Sequence, residues 1–266
     1  MGRIETCFEN LRSTGQKGLI TFITAGDPSV EKTLEYMQSL VEGGSDIIEL
    51  GVPFSDPMAD GPTIQRSSER SLAAGTDLSS IFELVTAFRK RNNITPIILM
   101  GYMNPFERLG FTRFATEAKS SGIDGVLVVD LPPEESGPQN RTLLENGIDQ
   151  VFLIAPNSSV DRIRKVGELA TGFIYYVSVK GVTGDKSIST DSIEKSLKVV
   201  REGTRLPIGL GFGIKTPENA RAASELSDAI VVGSALVEII EKGLGAGTTG
   251  KYLESFVREL KEAVDV

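Results

Sequence analysis

Short apolar runs recur along the chain, and each one closes at a glycine, a proline or an aspartate. The runs are nearly continuous in hydrophobicity, rich in β-branched residues and too short for helices, which is the pattern of strands buried on both faces. Eight such runs begin at Leu19, Asp46, Pro96, Asp124, Gln150, Phe173, Pro207 and Asp228. The sequence therefore predicts eight buried strands.

Segments with helical periodicity separate these runs. In SVEKTLEYMQSLVEGG, Val30, Leu34, Met37 and Val41 fall on one face, and a glycine pair ends the segment. Comparable segments cover 71–91, 111–122, 133–147, 159–172, 190–203, 216–227 and 248–264. A further amphipathic segment, 3–12, precedes the first strand, and we predict that this extra N-terminal helix plugs the bottom of a barrel.

Strands and helices alternate throughout, and no linker rich in glycine, serine or proline divides them. We therefore expect one domain over residues 1–266. Eight β–α units in about 250 residues favour an α/β fold of the (β/α)8 TIM-barrel type. The alternative is an open, doubly wound sheet.

The second strand carries a glutamate within its apolar run, in the motif ELGVPFSDPMADGPTIQ. Strand alternation puts Ile47 and Glu49 on one face. A carboxylate directed at the helices would be buried without water, so we place Glu49 inside the barrel, near the mouth where barrel active sites form. Apolar walls there raise a carboxyl pKa toward neutrality, as a general acid/base requires. The alternative is a carboxylate that caps a loop or pairs with a lysine.

Two aspartates lie in the loop that follows this strand, Asp56 in SDP and Asp60 in MADGPT. Either one could simply form an Asx-turn or cap a helix, and for Asp56 we prefer that interpretation. Pro53 and Pro57 stiffen the loop, which can therefore hold a second carboxylate over the barrel mouth. Spacing alone does not separate the two aspartates.

Glycines mark the loops after the last strands. Gly209, Gly211 and Gly213 form a G-x-G-x-G string at the end of strand 7, and a GSA triplet ends strand 8 at the start of a helix. Amide groups at helix N-termini bind phosphate, and these loops are the usual phosphate site of barrels. The polar loop VKGVTGDKSIST after strand 6 is a candidate lid that can add Gly184. The alternative for the glycines is tight packing at the barrel top.

Apolar or aromatic side chains occupy the other inward-facing positions. The lower ones form the barrel core, while those near the mouth would form a flat apolar pocket above the phosphate site. The candidates for substrate binding are Phe22, Met100, Tyr102, Leu127, Val129, Leu153 and Tyr175. The predicted ligand therefore has an apolar body and a phosphate tail.

Composition narrows the possible partners and cofactors. The formal net charge is −8 and no basic block occurs, which disfavours nucleic-acid and anionic-membrane binding. No apolar run is long enough for a membrane span. One cysteine and no histidine make a transition-metal site improbable. The single cysteine cannot form an internal disulfide, so we expect a cytoplasmic protein.

The motif ELGVPFSDPMADGPTIQ, together with TFITAGDP, GVLVVDLPPEES, YYVSVKGVTG, GFGI and VGSALV, resembles the tryptophan synthase alpha subunit family. The resemblance runs in order from Arg3 to the C-terminus. It implies a lyase that cleaves indole-3-glycerol phosphate to indole and glyceraldehyde 3-phosphate by a retro-aldol reaction, with neither cofactor nor metal.

The resemblance also implies roles for single residues. Glu49 matches the acid/base that protonates the indole ring carbon and then takes the glycerol hydroxyl proton. Asp60 matches the carboxylate that holds the indole N–H and stabilises the indolenine cation, and Tyr175 matches a tyrosine near the reacting side chain. Thr183 matches a lid residue that docks on Asp60. The residues that match the phosphate cradle are Gly184, Phe212, Gly213, Gly233 and Ser234.

The family's partner is the tryptophan synthase beta subunit, which receives indole through an internal tunnel in an αββα heterotetramer. The loop from Pro53 to Asp60 would lie at that interface. Many members carry Ser-Arg in the strand-6 loop, whereas here Val179 and Lys180 follow Ser178. A lysine cannot reproduce the forked hydrogen bonds of a guanidinium. This difference bears on lid closure and on coupling to the partner, and not on the reaction. We still predict a lid that closes.

Three other functions fit parts of the sequence. A stand-alone indole-releasing lyase shares every catalytic motif. A non-catalytic regulatory barrel that activates a partner is the second, and intact Glu49 and Asp60 argue against it. Another phosphosugar enzyme on the same barrel explains the glycines but not the ELGVPFSDPMADGPTIQ motif.

Overall fold

A computed structural model describes residues 2–178, 190–211 and 213–265 of the chain. Its eight parallel strands form a closed barrel in sequence order, with the last strand paired to the first. The strands are β1 Gly18–Thr24, β2 Ile47–Gly51, β3 Ile97–Gly101, β4 Gly125–Val128, β5 Asp149–Ile154, β6 Ile174–Val177, β7 Ile208–Gly211 and β8 Ala229–Val232. The predicted TIM barrel is confirmed, and the open sheet is excluded.

Helices cover the outside of the barrel and one of its ends. They are α1 Arg3–Thr14, α2 Val30–Glu42, α3 Pro62–Ala73, α4 Leu78–Arg89, α5 Met103–Leu109, α6 Phe111–Ser121, α7 Gly137–Glu145, α8 Val160–Leu169, α9 Thr190–Gly203, α10 Pro217–Ser224, α11 Ser234–Lys242 and α12 Thr249–Val264. Within the described ranges, no helix combines the length and the apolar character that a membrane crossing requires.

The helical segment predicted over 71–91 is wrong, because two helices share that stretch. Helix α3 ends at Ala73, and Gly75 follows with a φ of 82°, a left-handed conformation that a helix interior does not contain. Asp77 then caps α4, since its side chain accepts the Ser80 N–H in a reciprocal capping box. The short helix α5 was also not predicted.

Helix α1 closes the bottom of the barrel, as expected for the extra N-terminal helix. Its residues Ile4, Phe8 and Leu11 are buried and pack with the inward-facing side chains of the strands. The rings of Phe8 and Phe173 lie 5.8 Å apart between centroids. This apolar contact fills the lower barrel beneath the inward-facing side chains of the strands.

Aspartates at the bottom of the barrel join neighbouring strands. Each aspartate precedes one strand, and its Oδ2 accepts a backbone N–H from the neighbouring strand that comes earlier in the barrel. The N···O distances are 2.7 Å from Leu19 to Asp46, 2.8 Å from Ile97 to Asp124 and 2.9 Å from Ile208 to Asp228. A cation neutralises each carboxylate: Lys261, Arg89 and Arg201, respectively. The aspartates that begin three of the predicted runs therefore join the N-terminal ends of neighbouring strands. The candidate active site lies at the other end of the barrel.

Candidate active site

Glu49 points into the barrel. It pairs in register with Phe22 on β1 and Ile98 on β3, and its side chain is completely buried. Its neighbours Ile48 and Leu50 pack instead in the outer core, against the helices. The alternation predicted from the sequence is confirmed, and the carboxylate lies in an apolar environment below the mouth.

The environment of Glu49 favours its protonated form. Burial raises its pKa to about 8, and the negative charge of Asp60 adds to the rise. Neither carboxylate oxygen has a hydrogen-bond partner within the described ranges. Buried polar groups normally have a hydrogen-bond partner, so Glu49 is one of the exceptions among the described residues. Near neutral pH it can both give and take a proton.

The structure separates the two loop aspartates. Asp60 is half-buried, and its Oδ2 accepts a hydrogen bond of 3.2 Å from the Tyr102 hydroxyl. Burial raises the pKa of Asp60, and this hydrogen bond opposes the rise. Asp56 has an exposed side chain, and its carbonyl oxygen accepts the Met58 N–H in a turn. Asp60 alone of the two therefore faces the barrel mouth.

A cavity of about 660 Å³ opens above the strand ends. Five of the predicted residues line it together: Asp60, Met100, Val129, Leu153 and Tyr175. Leu127 is fully buried one layer below Val129, in the cluster that contacts α1, so the structure does not bring it to the cavity. Strand alternation assigns Leu127 to the inner face of the barrel but does not give its depth below the mouth.

Tyr175 keeps its hydroxyl proton. Burial raises its pKa well above the ordinary value, and the charges of Glu49 and Asp60 act in the same direction. A Cβ at Gly211 would lie 2.8 Å from the hydroxyl oxygen and from Cε1 of this ring. Gly211 therefore makes room for Tyr175, and a Cβ at Gly209 would likewise lie 3.1 Å from Phe173. For these two glycines, tight packing is the better explanation.

The other glycines lie at the mouth. Gly233 precedes α11 and accepts the N–H of Leu236, and Ser234 is the first residue of that helix. A Cβ at Gly233 would approach Phe22 to 3.3 Å, which puts Phe22 beside this helix start. Gly213 is exposed, with a φ of 40°. Thr183, Gly184, Phe212 and the predicted lid from Val179 to Ser189 lie outside the described residues.

The family follows from comparison with known proteins. A family model for the tryptophan synthase alpha chain matches residues 8–265. The chain belongs to this family. It is 52% identical to the tryptophan synthase alpha chain of Burkholderia ambifaria strain MC40-6 over 265 residues, which cover 100% of this chain and 97% of that relative.

Solved structures agree with the assignment. The alpha subunit from Legionella pneumophila strain Paris superposes with a TM-score of 0.94 at 38% identity, covering 100% of this chain and 99% of that one. A chain of the tryptophan synthase complex from Pyrococcus furiosus gives 0.83 at 38% identity, covering 92% and 98%. The tryptophan synthase alpha chain is a lyase that cleaves indole-3-glycerol phosphate to indole and glyceraldehyde 3-phosphate, and its family implies a beta-subunit partner.

Two features of this alpha-chain site were not predicted from the sequence. Tyr102 does not line the cavity as a substrate wall; its ring contacts Phe54 at 5.4 Å between centroids, and its hydroxyl holds Asp60. Asn157 and Ser158 line the cavity from the loop after β5. Their position directly after a strand end was the available signal, because all loops at that end of a barrel surround the site.

Proposed function

We propose that Glu49 is the proton-transferring residue of the cleavage reaction. The observation that carries this proposal is its complete burial with both oxygens unpartnered in the described structure and a pKa of about 8. Protonated Glu49 donates its proton to the indole ring carbon that bears the side chain. The resulting carboxylate then takes the proton of the neighbouring glycerol hydroxyl. The carbon–carbon bond breaks, its electron pair returns to the indole ring, and an aldehyde forms.

Asp60 holds the indole N–H and stabilises the indolenine cation. Its position on the cavity wall supports this role, and so does the Tyr102 hydroxyl, which orients the carboxylate. A fixed negative charge that faces a developing positive charge lowers the barrier without reorganisation. Tyr175 stays protonated beside the reacting side chain and completes the catalytic group.

The phosphate tail binds at the mouth where β8 leads into α11. Among the described residues no side chain caps the start of α11, which supports this placement since a helix N-terminus attracts an anion. Gly184, Phe212, Gly213, Gly233 and Ser234 form the cradle. Thr183 docks on Asp60 when the strand-6 lid closes, with Lys180 in place of the family's arginine. The apolar indole lies against Phe22, Met100, Val129 and Leu153.

The assembly is an αββα heterotetramer in the cytoplasm, in which this single-domain chain passes indole to the beta subunit. Met58 supports this proposal because its apolar side chain is 85% exposed on the loop next to Asp60. The family assignment is the main support, because single exposed apolar residues are common on protein surfaces. The reaction itself needs neither cofactor nor metal, because acid and base are both supplied by carboxyl groups.

The test is Glu49→Gln, which keeps the shape of the side chain but cannot transfer a proton. We expect no measurable indole release, with unchanged affinity for inorganic phosphate. Indole release at the wild-type rate would exclude Glu49 as the acid/base. Wild-type turnover should also be measured with and without a co-purified beta subunit. High solo turnover that the beta subunit does not stimulate would favour the stand-alone lyase instead.

A further inference from the structure

Helix α3 packs on the barrel through polar contacts. Its buried residues are Ser67, Ser68 and Ser71, where an amphipathic helix normally presents apolar side chains. The Ser67 hydroxyl lies 2.6 Å from the Thr24 hydroxyl at the end of β1. Ser71 donates to the carbonyl of Ala25 in the loop that follows. Because hydrogen bonds are directional, these contacts define the position of α3 more narrowly than apolar packing would.

An arginine adds the strongest of these contacts. Arg70 of α3 donates two parallel hydrogen bonds to Asp27, from Nε at 2.8 Å and from Nη2 at 2.7 Å. The Asp27 side chain is fully buried in the loop after β1. A bidentate guanidinium–carboxylate pair fixes orientation as well as distance. It ties the last turn of α3 to the rim of the barrel.

The same arginine also reaches α11. Arg70 Nη1 lies 3.0 Å from Glu241 Oε1, and Arg66, one turn earlier on α3, makes a bidentate pair with Glu241 at 2.6 and 2.7 Å. Glu241 lies in the last turn of α11, whose first residue is Ser234. One planar guanidinium therefore joins the barrel rim, α3 and α11.

Each of these helices begins at one end of the substrate site. Helix α3 starts two residues after Asp60, and the Gln65 side chain in its first turn donates to the Asp60 carbonyl at 2.9 Å. Helix α11 starts at Ser234, in the phosphate cradle of the proposed function. The distance between the carboxylate that meets the indole and the amides that meet the phosphate thus depends on how α3 and α11 are held together.

We propose that Arg70, through Glu241, is a positioning residue that sets the spacing between the indole end and the phosphate end of the site. The inference rests on the proposed function, which assigns Asp60 to the indole N–H and Ser234 to the phosphate. It predicts that the affinity for a ligand that carries both an indole and a phosphate depends on this network. The affinity for phosphate alone does not. A residue that only stabilises the fold would affect both ligands alike.

The experiment compares two probes on the full chain, inorganic phosphate and 3-(indol-3-yl)propyl phosphate, which has both ends and no scissile aldol bond. Glu241→Gln removes the charged acceptor on α11 that Arg66 and Arg70 share, but it leaves the buried Asp27–Arg70 pair intact. We expect the Kd of the two-ended probe to rise about tenfold, while that of inorganic phosphate changes less than about twofold, because a small misplacement penalises only simultaneous contacts. Equal weakening of both probes, or no change in either, overturns the inference.

Three further variants complete the test. Arg70→Lys retains a positive charge but cannot bridge Asp27 and Glu241 with fork geometry, so it should reproduce the effect of Glu241→Gln. Glu117→Gln breaks a surface ion pair with Arg113 on α6 and serves as the matched control, with both probes unchanged. If Ser234→Asp leaves inorganic phosphate binding intact, the proposed phosphate site is wrong and the inference falls with it. If Ser234→Asp abolishes binding and Glu241→Gln has no selective effect, only the inference fails.

Discussion

The Tyr102 hydroxyl bridges the backbone and the carboxylate of the Asp60 loop. It accepts the Ala59 N–H at 3.0 Å and donates to Asp60 Oδ2 at 3.2 Å. A phenol can donate only one proton, so the bond from Ala59 fixes the direction of the donated one. Burial raises the Tyr102 pKa to about 12, which keeps this proton in place at any physiological pH.

Tyr102→Phe should therefore impair catalysis without removing any group that we assign to the chemistry. The loss of a hydrogen bond to a charged acceptor corresponds to about 1.5–3 kcal/mol, so we expect kcat/KM for indole release to fall about 10- to 100-fold. The bond also lowers the Asp60 pKa, so the acidic limb of the kcat/KM profile should move to higher pH. Tyr252→Phe is the control, since that ring is 63% exposed on α12. An unchanged pH profile for Tyr102→Phe would contradict this role.

The stability of the chain should fall with pH because of Glu49. Its pKa is about 8 in the folded chain, against an ordinary value of 4.5. Between these values the folded state binds more protons than the unfolded state, so the stabilisation is complete below pH 4.5 and is lost as pH rises through about 8. The difference between the two pKa values corresponds to a decrease of at most about 5 kcal/mol in the free energy of unfolding.

Glu49→Gln removes this ionisation, so urea unfolding should distinguish the two proteins. We expect the variant to be more stable than the wild type at about pH 9, and the difference to vanish near pH 4.5. Glu107→Gln, at an exposed position on α5, controls for the general effect of losing a carboxylate. A difference between Glu49→Gln and wild type that does not vary with pH would show that Glu49 is not buried as a neutral acid.

The barrel and the orientation of Glu49 were accessible from sequence because both depend on local patterns. Continuous apolar runs predict strands covered on both faces, and a two-residue period then assigns Ile47 and Glu49 to one side. The same period does not give depth along the strand. Leu127 and Val129 share a face, and only the three-dimensional barrel shows that the cavity ends at Val129.

The contacts that organise the site were not accessible in this way, because they join residues far apart in the chain. Tyr102 and Asp60 are 42 positions apart, and Arg70 and Glu241 are 171 apart. No periodicity relates such pairs, and each polar residue alone is equally compatible with a solvated surface. The break between α3 and α4 could have been predicted, because Gly75 and the capping residue Asp77 are both visible in the sequence. The periodic apolar positions across 71–91 favoured one continuous helix instead.

The bottom of the barrel should be sensitive to the loss of Asp124. This carboxylate accepts hydrogen bonds from Arg3, Arg89 and the Ile97 N–H. The Arg89 side chain is only 9% exposed, and burial lowers its pKa to about 10. Asp124→Ala leaves this buried cation with its backbone carbonyl acceptors but without a counter-ion, which should decrease the free energy of unfolding by about 3–5 kcal/mol in urea titrations.

A double variant separates the unpaired charge from the lost packing. Asp124→Ala combined with Arg89→Met should recover much of the stability, because no buried cation then remains. Asp161→Ala is the control, since this carboxylate is 96% exposed and lies 3.6 Å from Arg164, a geometry worth less than about 1 kcal/mol. If the double variant is no more stable than Asp124→Ala, the uncompensated charge is not the cause.

The close contact between Gly51 and Phe22 should make the barrel mouth intolerant of one methyl group. A Cβ at Gly51 would lie 2.6 Å from Cζ of Phe22, whose ring is itself buried. Gly51→Ala must therefore displace the ring from the proposed indole pocket, and overpacking of this kind costs about 1–3 kcal/mol. We expect a lower melting temperature and a kcat/KM about tenfold below that of the wild type.

Phe22→Leu in the Gly51→Ala background tests the cause of that loss. The shorter side chain removes the ring atoms that the new methyl group would meet, so the melting temperature should return toward the wild-type value. Gly137→Ala is the control, because a Cβ there meets nothing within 4 Å. If Phe22→Leu restores stability but not kcat/KM, the aromatic ring itself contributes to substrate binding. If it restores neither, the contact between Gly51 and Phe22 does not limit the site.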